Sequence, residues 1–248
     1  MDPTLKSGTM SNRREIVDGK ILAVDAEDRA RALAMFDVSR ETTERLDCFI
    51  DLLLTWQRHT NLVGASTIPS LWTRHVADSL QLLAIAPKAQ KSTAPVWVDL
   101  GTGGGFPGLV IACALAETPG ACIHLIESSS KKARFLRDAV RATYAPAIVH
   151  EDRIETVASK LAASADVVTA RALAPLSDLL ALVAPFIEKG AQALLMKGQD
   201  VDIELTAATK YWNVVADIVP SKTSPSGRIL AVRGLERREM PRSGVSPS

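Results

Sequence analysis

The stretch Val98-Asp99-Leu100-Gly101-Thr102-Gly103-Gly104-Gly105-Phe106-Pro107-Gly108 constrains this chain more than any other. A β-rich apolar run enters five glycines, and Pro107 stands among them, where the first turn of a helix tolerates a missing N–H. Strand, glycine turn and helix in that order describe a ligand-binding turn at a helix N-terminus. The flanking pattern agrees. From Pro95 onward the runs PVWVDL, ACIHLIE, AIVH, DVVTARA and AQALLMK alternate with helical stretches, which predicts βαβ units and a mostly parallel sheet covered on both faces. The last two runs, WNVVADIVP and RILAVRG, leave no room for a crossover helix between Val219 and Arg228. They are expected to form an antiparallel hairpin at the sheet edge, turning through SPSG. The expected fold is one α/β domain with a seven-stranded sheet.

Upstream the period changes. Leu46, Phe49, Ile50, Leu53 and Leu54 put an apolar stripe on one face of a helix over residues 41–57. A second helix is expected over 67–85, after HTNLVGAS, and the two make an N-terminal helical cap spanning 39–90. Residues 1–38 read as a flexible arm with a short helix near 21–36, residues 91–236 as the ligand-binding core, and residues 237–248 as a basic disordered tail.

With 47% hydrophobic and 23% charged residues in 248, the chain can bury a sizeable core. Its formal charge of +1 excludes a global positive field, so any nucleic-acid surface must be local. Cys48, Cys113 and Cys122 lack CxxC spacing and sit in apolar settings; packed, reduced thiols are expected, with no disulfide frame and no metal site. No apolar run approaches the ~20 residues of a membrane span, and the opening residues lack the apolar centre of a secretory signal. A cytoplasmic monomer without membrane association is expected.

Two ligand classes compete for the glycine turn. Gly103-x-Gly105-x-x-Gly108 satisfies the dinucleotide fingerprint, and Glu127 lies where a ribose-binding acid would follow. Asp99-x-Gly101-x-Gly103-x-Gly105 is equally the acid-first pattern of S-adenosylmethionine (SAM) enzymes. Charge favours SAM, because a carboxylate at the mouth of the turn repels a pyrophosphate and attracts a sulfonium and an amine. Glu127, ending the second strand of the core, suits both hydroxyls of a ribose. After the third strand, Asp152 and its neighbours offer acceptors beside an aliphatic face, as an adenine ring requires. Arg171, ending the fourth, implies an anion nearby: the methionine carboxylate or a substrate phosphate.

The place after strand four reads Ala170-Arg171-Ala172-Leu173-Ala174-Pro175, without the Asn/Asp-Pro-Pro-aromatic run that accompanies methylation of exocyclic amines, and no Cys follows strand four or five. An acceptor with an available lone pair, such as guanine N7, needs neither a base nor a covalent step; the protein then contributes mainly alignment. Lys131, Arg134, Arg137 and Arg141 fall on one helical face about 120° wide, and with Lys132, Arg153, Arg171 and the basic C-terminal residues they could follow a phosphate backbone. His75 and Asp78 are three apart on one helix face, and with Asn61 they could roof the crevice.

These motifs together resemble the bacterial 16S rRNA guanine-N7 methyltransferase family, also called glucose-inhibited division protein B. The resemblance spans about 52–233 and rests on Trp56-x-x-x-x-Asn61-Leu62, His75-x-x-Asp78-Ser79-Leu80, Asp99-Leu-Gly-Thr-Gly-x-Gly-Phe-Pro-Gly108, Glu127-Ser128, Lys131-Lys132-x-Arg134-Phe135-Leu136, Arg153-x-Glu155, Arg171-Ala172 and Lys197-Gly198. It implies a Rossmann-like class I SAM-dependent methyltransferase fold and methyl transfer to N7 of a guanine in 16S rRNA or the small ribosomal subunit. It further implies SAM contacts at Gly101, Phe106, Ile154, Glu155 and Arg171, and places His75, Asp78, Asn61 and Lys197 near the substrate. Glu127 and Lys132 stand where the commoner pattern has Asp and Arg. A small-molecule SAM methyltransferase and a non-catalytic rRNA-binding assembly factor are the alternative readings.

Overall fold

A computed structural model describes residues 15–17, 20–22, 24–87 and 94–238. Strands β1 (Glu15–Val17) and β2 (Lys20–Leu22) pair antiparallel inside the stretch expected to be a flexible arm. Helix α1 (Ala26–Ala34) follows, capped by the Asp25 carboxylate, which accepts from Glu27 N. It belongs to the cap rather than to an arm. Buried Asp28 accepts from Trp72 N at 2.9 Å and from Thr73 N at 3.1 Å, and Arg29 grips Asp47 with two bonds of 2.7 and 2.6 Å. The arm boundary at residue 38 is corrected accordingly.

Helix α2 (Arg40–Gln57) takes Ser39 as its N-cap and buries Leu46, Phe49, Ile50 and Leu53, as its period predicts. The expected second cap helix is not regular. It breaks into a 3₁₀ segment (Ala65–Ser70), a π turn (Trp72–Ala77), the short α3 (Asp78–Leu80) and a second 3₁₀ segment (Gln81–Ala84). Pro69 removes a donor inside the first segment, and Asp28 takes two amides at the start of the π turn. Such turns re-aim side chains at functional sites; this one carries His75.

The core sheet has the order β5-β4-β3-β6-β7-β9-β8. Strands β3 (Val96–Leu100), β4 (Cys122–Ile126), β5 (Ala147–His150), β6 (Val167–Arg171) and β7 (Gln192–Lys197) run parallel. The hairpin β8 (Trp212–Pro220) and β9 (Arg228–Arg237) adds antiparallel, with β9 against β7. The seven expected strands are all present. Helices α4 (Gly108–Ala114) and α5 (Ser130–Thr143) share one apolar core with the cap. Helices α6 (Ile154–Leu161), α7 (Leu176–Ile187) and α8 (Val201–Ala208) cover the other face. Chain order reverses between β3 and β6, so the ligand crevice of such a sheet lies outside the carboxyl ends of these two strands. At the C-terminus the sheet continues through Arg237, and Arg238 Nε bonds Asn213 Oδ1 at 2.6 Å. The core therefore extends beyond residue 236, and residues 239–248, most of the expected tail, lie outside the described residues. No helix among the described residues is long and apolar enough to cross a membrane.

Candidate active site

Strand alternation sends Val98 and Leu100 to one core, and Trp97 to the other beside the helix that follows the turn. Asp99 goes with Trp97. Its side chain is buried; Oδ2 accepts from Gly108 N at 2.9 Å and Oδ1 from Thr169 Oγ1 at 2.8 Å. This corrects the expectation of a carboxylate at the mouth of the turn: Asp99 lies beneath it and pins helix α4 to β3 and β6. Gly108 is required by the close approach, since a Cβ there would stand 2.7 Å from Asp99 Oδ2 and 2.5 Å from Leu125 Cδ2. Burial pushes the Asp99 carboxyl up to about 6, against the pull of Thr169, Gly108, Thr102 and Arg171.

Four further amides of the turn are committed as well. Thr102 N donates to Ile126 O, Gly105 N and Phe106 N donate to Thr102 O, and Gly103 N donates to Glu127 Oε2 at 3.0 Å. A pyrophosphate held by a glycine turn needs those N–H groups and the free N-terminus of the next helix. Here the chain's own carboxylates and carbonyls take most of them, which disfavours a dinucleotide. Charge still decides between the ligand classes, from below the turn instead of at its lip.

Glu127 is nearly buried and also accepts from Ser129 N at 2.7 Å. A carboxylate has about four lone-pair sites, so two remain for the hydroxyls of a ribose. Asp152, expected beside the adenine and weighed as a helix cap, accepts from Arg153 N at 2.7 Å while Arg153 takes the cap position of α6. Asp152, Arg153 and Glu155 are exposed at the crevice end of β5, and Ile154 is half-buried beside them. The Phe106 ring, expected at the ligand, is buried. It lies 4.9 Å from the His75 ring and 5.2 Å below the Arg171 guanidinium. It supports those two side chains from the core side.

A cavity of about 450 Å³ opens beside the crevice, lined by His75, Asp78, Arg171, Lys197 and the β8–β9 turn. Ala172 on its wall has a left-handed φ of 50°, which strains a residue with a Cβ. Lys197 lines it and pairs with Glu204 at 2.6 Å. Asn61, expected at the crevice roof, is exposed on the loop after α2 and is not among the residues lining this cavity. Sequence analysis missed Thr169, whose signal was a hydroxyl in a buried strand directly opposite Asp99 in register. It also missed Gln81, Ser221 and Thr223, which tie the β8–β9 turn to the Asp78 carboxylate across some 140 residues of chain.

His75 has a fixed tautomer. Thr67 Oγ1 donates to Gly64 O at 2.7 Å, so it must accept from His75 Nε2–H at 2.8 Å. Nδ1 is then a bare acceptor, buried and without a partner among the described residues. Burial pushes the imidazole down to about 3, with Arg171 and Arg74 adding repulsion. Because the native pKa lies below the ordinary 6.5, the neutral ring contributes stability above pH 6.5 that is lost as pH falls toward 3. The unfolding free energy of the wild type minus that of His75→Gln should fall by up to about 1.4 kcal/mol per pH unit below 6.5. Urea melts across that range measure it; a difference independent of pH contradicts the buried neutral ring.

On α5, Lys131, Arg134, Arg137 and Arg141 are exposed and Lys132 is half-buried. Arg137 pairs with Glu151 at 2.8 Å and Arg141 with Asp138. Lys131, Lys132 and Arg134 have no ion-pair partner among the described residues. These three sit in the first two turns, next to Glu127 and the crevice. The unpaired charge is concentrated there.

Residues 42–228 match the family model described as GidB, rRNA small subunit methyltransferase G. The chain belongs to this family. It is similar to the protein named ribosomal RNA small subunit methyltransferase G from Bradyrhizobium sp. strain BTAi1, with 52% identity over 92% of this chain and 99% of that one. The protein of the same name from Nitrobacter hamburgensis is 53% identical over 88% of this chain and 82% of its own. Among solved structures, a putative O-methyltransferase from Klebsiella pneumoniae superimposes with a TM-score of 0.51 at 14% identity, covering 84% of this chain and 96% of that one. The cofactor-bound Rv0187 from MTB does so with 0.50 at 16%, covering 77% and 90%. At such identity these structures share the fold alone, the class I methyltransferase architecture; in this chain a helical cap stands in front of it.

Proposed function

We propose that this family member transfers a methyl group from SAM to N7 of a guanine in 16S rRNA. The observation that carries the proposal is the glycine turn in which two carboxylates, Asp99 below and Glu127 beside it, take Gly108 N and Gly103 N and make the crevice negative. A cationic nucleoside suits that field. In this account Gly101 and Gly103 let the backbone approach the ligand, Glu127 accepts the ribose hydroxyls, and Ile154 with Asp152 and Glu155 borders the adenine. The cofactor supplies a methyl group on a positively charged sulfur, which an uncharged ring nitrogen can attack. Guanine N7 carries no proton, so no residue is required as a base; His75, kept neutral, could not serve as an acid. The protein's contribution is orientation and exclusion of water. Labelled SAM should deliver its methyl to 16S rRNA, with chain cleavage specific for N7-methylguanine locating it. Label at any other atom refutes the assignment.

The unpaired cations of α5 support an RNA substrate over a small molecule. Lys131→Glu with Arg134→Glu should raise KM for RNA at least about tenfold at low salt and flatten its salt dependence by about two phosphate contacts, with SAM affinity unchanged. Arg137 is the poorer choice for charge reversal because it is already paired with Glu151. Unaltered transfer in the double variant would favour a small acceptor. The same local charge fits the small ribosomal subunit as readily as free rRNA, and we place the enzyme in the cytoplasm, acting as a monomer.

A further inference from the structure

The cavity beside the crevice holds two charged groups that are left incompletely satisfied. The Arg171 side chain is only 18% exposed, yet its one hydrogen bond among the described residues is a long one, 3.4 Å from NH1 to Arg74 O. A guanidinium carries five donors in a rigid fork. Asp78 is asymmetric. Its Oδ1 accepts from Thr223 Oγ1 at 2.6 Å, from Gln81 Nε2 at 2.7 Å and weakly from Ser221 Oγ, whereas Oδ2 accepts no hydrogen bond among the described residues and faces Arg171 NH1 at 3.8 Å. That gap is wider than a hydrogen bond. The latch on Oδ1 thus holds the carboxylate with its second oxygen presented to the cavity beside an arginine fork.

We infer that Asp78 and Arg171 read the acceptor base, Asp78 Oδ2 accepting from N1–H and the 2-amino group of guanine and Arg171 donating to O6. The inference rests on the guanine-N7 proposal and adds to it the pair that selects the base. A donor next to an acceptor matches the O6 and N1–H of guanine and opposes adenine, whose N6 amine would face Arg171 and whose bare N1 would face Asp78. Reading that edge leaves N7 without a donor on it, so its lone pair stays available to the methyl group. A cavity of about 450 Å³ accommodates one nucleotide. His75 Nδ1, a neutral acceptor on the same side, cannot replace Asp78 in discriminating by charge.

The test is calorimetric titration of the full chain, saturated with S-adenosylhomocysteine, with GMP, IMP and AMP. One good bidentate contact is worth about 1–3 kcal/mol of discrimination, so GMP should bind at least about fivefold more tightly than AMP, with IMP, which lacks the 2-amino group, between them. Asp78→Asn should bring GMP down to the AMP level. Thr223→Val removes one of the bonds to the other oxygen and should weaken the preference only in part while keeping GMP above AMP, which separates base reading from a mere loosening of the turn. Thermal melts establish that each variant is folded; if Asp78→Asn is not, the order of the three nucleotides on Thr223→Val and wild type carries the decision. An undiminished GMP preference in folded Asp78→Asn, equal binding of the three nucleotides, or no binding of GMP overturns the inference. If methyl transfer to N7 persists beside such a result, the enzyme's function stands and only the reading pair is wrong; if no N7 methylation occurs at all, the parent proposal has failed.

Discussion

Asp99→Asn is expected to weaken SAM binding at least about tenfold without lowering the unfolding free energy at pH 7. Two opposite consequences of one buried charge produce this split. The carboxyl pKa of Asp99 is raised from 3.8 to about 6 by burial, so ionisation of Asp99 disfavours the native state at pH 7, and its removal could return up to about 3 kcal/mol. The sign is that of a raised acid: its contribution to stability is full below pH 3.8 and is lost as pH rises through about 6. Asparagine keeps the geometry, with its oxygen accepting from Gly108 N and its amide facing the Thr169 hydroxyl, which can turn to accept. What disappears is the negative charge beneath the turn, felt strongly because little solvent screens it. S-adenosylhomocysteine, lacking the sulfonium, should lose less affinity than SAM. Chemical melts at pH 7 with parallel calorimetry for both ligands supply the comparison. A destabilised variant that binds SAM normally would mean that Asp99 serves the fold alone.

Arg171→Ala should lower kcat/KM for RNA methylation at least about a hundredfold, equivalent to about 2.7 kcal/mol. Arg171 ends β6 at the reversal of strand order, lies over Phe106 and between Arg74 O and Asp78, and is the only guanidinium among the described residues to meet both the crevice and the cavity. Burial lowers its pKa, partly offset by Asp78 and Asp99; a guanidinium is not deprotonated in proteins, so the group is a cation. Its loss leaves Asp78 without its countercharge and the acceptor base without a donor on O6. Arg171→Lys should recover only part of the rate, because a single ammonium cannot reproduce the fork. Full rescue by lysine would show that charge alone matters. Steady-state kinetics with RNA and SAM varied separately distinguish the two.

The strands were legible because parallel strands covered on both faces carry nearly continuous apolar runs, and VWVDL, CIHLI and VVTAR do so. The terminal hairpin followed from connection length alone. The site was legible to the extent that it lies at strand ends: Asp99, Glu127 and Arg171 end β3, β4 and β6 or lie one residue from those ends. The direction of Asp99 was also within reach, since Val98 and Leu100 share one face and Asp99 must take the other, under Gly108. The cap was harder. An apolar period cannot show that Pro69 and the distant Asp28 break a helix into 3₁₀ and π segments. Contacts such as Asp78 with Thr223 join positions 145 apart and leave no local pattern. The α5 cations were found by their period, but which of them are neutralised depended on Glu151 from another element.

The account depends most on two carboxylates having taken Gly103 N and Gly108 N of the glycine turn, so that it takes a cationic nucleoside and refuses a pyrophosphate. Calorimetric titration of the full chain with SAM and with NAD, with and without 16S rRNA, measures this directly. Saturable binding of SAM and no heat from NAD is the predicted outcome; NAD binding, or no SAM binding under either condition, would contradict it.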